Sequence, residues 1–184
     1  MLAQRIQAPS LRLLERTSER DLWKTAPQVA SRLRWAKQNF FSSRYELCSD
    51  GRCVATMHMR GLFRPTATGV GPDGSWMFEP VGSAPGKIVV RPRDSYREEA
   101  TFDLSFSDHG GILRLASGGA LVLSSDFWKG RAEFQTLNGE AVVRYRICGV
   151  ILQSAKVEVL DQGKTMAELP WLLMLGWCLV VGYL

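Results

Sequence analysis

The last sixteen residues, Leu169 to Leu184 (LPWLLMLGWCLVVGYL), carry no charge, and they close a chain that otherwise reads as short strands and tight turns. Where this segment goes decides between a membrane anchor and the centre of a core. As a helix it would be roughly 24 Å long at ~1.5 Å per residue, short of the ~20 residues that cross a ~30 Å hydrocarbon layer. No basic residue follows it to hold a far end among headgroups. It is apolar on every side, which for a helix means burial all round. The expectation is a helix enclosed by β-sheet. The alternative is a tail-anchored membrane protein with a cytosolic β-domain.

From Val29 onward the texture is runs of four to eight residues with alternation, punctuated by Gly, Asp and Pro, which reads as strands. The candidates are Val29–Trp35, Arg44–Cys48, Cys53–Met59, Thr66–Val70, Ser75–Glu79, Lys87–Arg91, Ala100–Phe106, Ile112–Ala116, Ala120–Ser124, Arg131–Thr136, Ala141–Ile147 and Ala155–Leu160. Asp50-Gly51, Pro72-Asp73-Gly74, Ser117-Gly118-Gly119 and Asn138-Gly139 supply the positive φ that tight turns require. Regular spacing of short antiparallel strands implies a sandwich or a barrel. A closed barrel of about twelve strands is too wide for its own side chains to fill, and an apolar helix ~10–12 Å across would plug it. The fold class expected is therefore mainly β, an antiparallel barrel of about twelve strands enclosing a hydrophobic C-terminal helix at 169–184. In the first hairpin, strict alternation puts Tyr45, Leu47, Val54 and Thr56 on one face and Glu46, Cys48, Cys53 and Ala55 on the other. Tyr45–Met59 and Glu133–Ile147 echo one another weakly, each with an Asp-Gly or Asn-Gly turn.

Charge is unevenly spread. Residues 1–44 hold nine bases against three acids, and the rest of the 184-residue chain holds 14 bases against 15 acids. Residues 1–28 read as a loosely ordered basic leader, since Pro9 and Pro27 bracket what helix LRLLER could form. An excess of this kind attracts anionic partners. The N-terminus has no apolar run long enough for a secretory signal, so a cytoplasmic location, peripheral to the membrane, is the expectation.

Few motifs point to chemistry. Gly69-x-Gly71-x-x-Gly74 matches a dinucleotide fingerprint only formally, because a strand (SWMFE) follows it where a helix N-terminus is needed. His58 and His109 are the only histidines and have no visible triad partners. The carboxylates lack calcium-loop or acid–base spacing, and no paired CxxC suggests zinc. An enzyme working in the barrel mouth is thus the weakest reading, and no cofactor or metal is expected. The Asp50-Gly51 turn sets Cys48 opposite Cys53. Cys148 and Cys178 lie in apolar runs and read as core residues.

The order Leu33-x-Trp35, YELCSDGRCVATM, Asp73-Gly74-Ser75-Trp76, KIVVR at 87–91 and the closing ELPWLLMLGWCLVVGYL resembles the tubby C-terminal-like superfamily. The likeness is to its phospholipid scramblase and LURP-one-related type, particularly the small bacterial members. It spans roughly Val29 to Leu184. The resemblance implies a twelve-stranded barrel around a hydrophobic helix, and association with membrane lipid. No residue set transfers from the family, because the scramblase calcium loop and the tubby phosphoinositide site have no counterpart here. From the residues themselves, the basic positions beside aromatics, Arg32, Arg34, Lys37, Arg60 and Arg64, are the candidate lipid-binding set. A non-enzymatic binding or scaffold protein is expected, with an anionic phospholipid surface or a protein as partner and nucleic acid disfavoured.

Overall fold

The computed structural model describes residues 33–39, 42–61, 65–82, 86–105, 109–126, 128–148 and 154–183. The first half of the chain forms β1 (Leu33–Lys37), β2 (Arg44–Ser49), β3 (Arg52–Arg60), β4 (Thr66–Gly71), β5 (Gly74–Val81) and β6 (Lys87–Pro92). The second half forms β7 (Ala100–Ser105), β8 (Gly110–Leu115), β9 (Ala120–Asp126), β10 (Arg131–Thr136), β11 (Ala141–Cys148) and β12 (Ser154–Val159). Two helices follow, α1 (Asp161–Lys164) and α2 (Leu169–Gly182). Every strand pairs antiparallel with the next, and β12 closes back on β1, so the sheet is an up-and-down barrel. All twelve expected strands are present, with ends moved by a few residues. Residues 29–32 of the first, Phe106 of the seventh and the leader at 1–28 lie outside the described residues.

The barrel fills because each strand turns one face inward and α2 occupies the middle. Trp171 to Val180 are buried along their whole length, although α2 has no polar face to spare. Pro170 sits in its first turn, where a missing N–H costs no helical hydrogen bond. Four sides of the helix meet four parts of the wall. Trp177 stacks on Trp35 of β1, with ring centroids 6.0 Å apart and planes 4° from parallel, and Tyr45 of β2 meets it edge-on at 5.7 Å. Met174 lies over Gly69 and Gly71 of β4, where a methyl group would overlap its sulfur and terminal carbon. The formal fingerprint is thus a β4–β5 hairpin, with Gly71 paired to Gly74, and two of its glycines make room for the helix. Gly176 lets the Tyr145 ring of β11 approach so closely that a Cβ there would stand 2.5 Å from Cζ. The Tyr145 hydroxyl then donates to the carbonyls of Leu172 and Leu173, at 3.2 and 3.1 Å. Gly182 packs on Pro65 and Met59, and the Tyr183 hydroxyl donates to the Pro65 carbonyl at 2.8 Å.

One expectation about side-chain direction is corrected. Leu47 pairs with Ala55 while Cys48 pairs with Cys53, so Val54 is an extra residue in β3. This bulge flips the alternation beyond it. Ala55, Met57 and Met59 join Tyr45 and Leu47 inside, and Thr56 faces outward with Glu46. The echoing hairpin β10–β11 also carries an extra residue, Val142, four positions after its Asn138 as Val54 is four after Asp50.

The barrel has two chemically different ends. The lower end takes the connections after β2, β4, β6, β8 and β10 and the start of α2, where the Ser117 hydroxyl donates to Glu168. The upper end takes the connections after β1, β3, β5, β7, β9 and β11, and α2 finishes there at Tyr183.

Candidate functional site

Charge separates along the barrel axis. Among the described residues, the lower connections, the strand residues flanking them and the α1 segment contain Arg52, Arg93, Arg97 and Lys164 against Asp50, Asp73, Asp94, Glu98, Glu99, Glu140, Asp161 and Glu168. Four bases thus face eight acids. The same positions at the upper end contain Lys37, Arg44, Arg60, Lys87, Lys129 and Arg131 against Asp126 alone, six bases to one acid. Even that acid is taken up. Lys129 binds it twice, by Nζ at 2.9 Å and by backbone N–H at 3.1 Å, and the Lys129 hydrogen bond holds the Asp126 carboxyl below the usual carboxylate range.

From this rim a row of like charges runs obliquely down the outer wall, ending at Arg34, whose partner Cys48 is one pair above the lower β2–β3 turn. Arg131 of β10 is paired in register with Arg146 of β11, Arg146 with Lys156 of β12, and Lys156 with Arg34 of β1. All four are exposed. At ~4.8 Å between strands the row is about 15 Å long. Like charges directly opposite one another destabilise a sheet, and the neighbouring row shows that this wall accommodates the opposite arrangement. Two residues further along the strands, Arg144 is flanked in register by Glu133 and Glu158 and binds both, Glu158 at 3.0 Å. Partial burial would raise the Glu133 carboxyl, but hydrogen bonds from Gln135 and Arg144 outweigh it and leave the group low. Among the described residues, Arg34 is the member of the cationic row with a side-chain hydrogen bond, to the Ser154 hydroxyl at 3.3 Å. An alternating row is a stabilising ladder; the all-cation row one step away concentrates positive charge on the outer wall.

Of the residues expected from sequence, Arg34 belongs to this row, and Lys37 and Arg60 stand at the upper end. Lys37 lies 6.0 Å over the Tyr45 ring. Arg32 and Arg64 lie outside the described residues. Sequence reasoning missed Arg131, Arg146 and Lys156, because each is an ordinary outward position on its own strand. Only the register of four strands, three of them more than ninety residues from β1, aligns them. Trp128 was missed as well: it stands in the upper connection between β9 and β10 and is 95% exposed.

The remaining candidates for chemistry stay dispersed. His58 Nε2 and the Ser43 hydroxyl share a hydrogen bond of 2.9 Å on the exposed outer wall, with no carboxylate bonded to the other ring nitrogen, as a triad would require. His109 is a turn residue with φ of 46°, and its carbonyl accepts from the Ser125 hydroxyl. Among the described residues, no three His, Cys, Asp or Glu side chains gather as metal ligands, and no helix is long and apolar enough to cross a membrane. Cys148 is half-buried at the upper end of β11, so of the two expected core cysteines only Cys178 is enclosed. Comparison of the chain with protein-family models, with curated proteins and with solved structures finds no match.

Proposed function

We propose that this protein is a non-enzymatic binding protein that associates with anionic phospholipid membrane surfaces through the upper end of its barrel. The observation that carries this reading is the excess of positive charge at one end, six bases to one acid among the described residues, continued down the wall by the register-paired row Arg131, Arg146, Lys156 and Arg34. A membrane surface rewards such an arrangement with ~1 kcal/mol per basic residue held near it, and the attraction fades within a Debye length of ~8–10 Å. The resemblance to tubby-like lipid-associated proteins supports the same reading.

Co-sedimentation with vesicles of phosphatidylcholine and phosphatidylserine tests it. Replacing Arg131, Arg146 and Lys156 by Glu should weaken binding by roughly a hundredfold or more, about 1 kcal/mol or more for each reversal. The same reversal at Arg93 and Arg97, on the acidic lower end, should change little. Equal loss from both sets, or no binding by the unaltered protein, refutes the reading.

A further inference from the structure

We infer that the barrel meets the bilayer end-on, with the β9–β10 hairpin tip entering the interface and Trp128 as its anchor. This rests on the proposed membrane association and specifies its geometry.

Two large aromatic side chains are almost fully exposed, Trp128 at 95% and Tyr96 at 93%. Their surroundings differ. Tyr96 lies between Arg93 and Arg97, with the Arg91 guanidinium 6.0 Å over its ring, but at the lower end, where eight acids face four bases among the described residues. Trp128 is followed by Lys129 and Arg131 on its own hairpin, and Arg146 stands in register with Arg131. An exposed indole at the base-rich end of the barrel is complementary to one occupant, the boundary between headgroups and acyl chains. There the ring loses water while its N–H stays among polar groups.

The vertical spacing agrees. Arg131 comes three residues after Trp128, and at ~3.3 Å per extended residue its backbone, the upper end of the cationic row, is at most about 10 Å from that of Trp128. A headgroup layer is about 5–8 Å thick on each side of the hydrocarbon. With the indole at the hydrocarbon boundary, Arg131 lies among the headgroups or at their outer edge, within a Debye length of the phosphates.

The cations also follow half of the rim without a break, from β10 through β12 and β1 to β3, with Lys87 of β6 apart. Lys37, Arg44, Arg60 and Lys87 occupy upper positions on β1, β2, β3 and β6, while Lys129, Arg131, Arg146 and Lys156 lie on or beside β10 to β12. An end-on contact engages this arc together with Lys87, and it points the acidic lower end away from the membrane.

The test uses the full chain with phosphatidylcholine and phosphatidylserine vesicles whose acyl chains are brominated near the headgroup. Bromine should quench fluorescence of the unaltered protein, and the difference from Trp128→Phe isolates the Trp128 contribution. Trp128→Ala should weaken co-sedimentation by about tenfold or more, the worth of partly burying one indole, while its thermal melt stays unchanged because the tip is exposed. If the protein sediments but Trp128 is not quenched and Trp128→Ala binds equally well, the inserted tip is wrong and the charge-based association stands. If the unaltered protein does not bind these vesicles, both are wrong.

Discussion

Replacing Gly176 by alanine reverses an ordinary rule, and the sign of the effect tests whether α2 is enclosed as described. In the middle of an exposed helix, Gly→Ala stabilises by ~0.5–1 kcal/mol. In α2, the new methyl would stand 2.5 Å from Cζ and 2.6 Å from Cε2 of Tyr145 and would overlap its hydroxyl. Backbone and ring are both held, so the helix or the tyrosine must move. Overpacking of a filled core costs ~1–3 kcal/mol. Displacing the Tyr145 hydroxyl from the Leu172 and Leu173 carbonyls leaves a fully buried polar group unpaired, for about another 1–3 kcal/mol. After the intrinsic gain is subtracted, the net destabilisation is about 1–5 kcal/mol, centred near 3. Urea unfolding of Gly176→Ala measures it directly. A double-mutant cycle adds the mechanism: with Tyr145→Ala in place, the ring is gone and Gly176→Ala should become neutral or stabilising. If Gly176→Ala stabilises the unaltered protein, Tyr145 does not pack on the helix and the enclosed arrangement is refuted.

Deleting Leu169–Leu184 should abolish the cooperative melt, since eight large apolar side chains between Trp171 and Val180 contribute roughly 12–24 kcal/mol at ~1.5–3 each, more than a domain's net ~5–15; a soluble, cooperatively melting 1–168 fragment would overturn this. Cys48 and Cys53 form the first pair beyond Ser49 and Arg52, which close a two-residue turn with positive φ at Asp50 and Gly51, and such a non-hydrogen-bonded position brings Cα atoms to ~4.5 Å, within disulfide range. A peroxide should therefore link them within one chain, and mass spectrometry showing either one paired with Cys148 instead would refute the register. Burial and then Glu46 push both thiols up, so the linking rate should rise steadily as pH is raised through the mildly alkaline range. Burial pushes the Cys178 thiol from 9.0 up to about 12. The unfolded chain then loses this proton first, and stability that is full below pH ~9 should fall by up to ~1.4 kcal/mol per pH unit towards pH 12. Cys178→Ala, less stable at neutral pH, should show a shallower alkaline loss in urea titrations, and an equal slope would contradict the assignment.

Alternation, turn chemistry and one uncharged tail were enough to read the architecture from the sequence. Each is a local property with a global consequence. Asp50-Gly51 and Asn138-Gly139 mark hairpins because few residues accept positive φ, and a segment apolar on every side has no stable place except one enclosed on every side. The inward positions Leu33, Trp35, Phe78 and Phe134 follow from period two alone. Where the chain breaks period two, the reading failed: the extra Val54 turns Ala55 and Met57 inward, and nothing in their residue types announces it.

Contacts between distant segments belong to the tertiary structure. Gly176 looks like a mild weakness in a helix until Tyr145, thirty-one residues earlier, is seen to occupy the space its side chain would take. Gly69 and Gly71 look like a phosphate motif until Met174 lies over them. The cationic row is the plainest case. The sequence shows its excess of bases in the first 44 residues, yet three of the row's four members come from β10, β11 and β12, where local charge is balanced. Their alignment depends on closure of β12 onto β1, a pairing between residues over a hundred positions apart. Composition determines how much charge a chain carries; only strand register determines which charges must face one another.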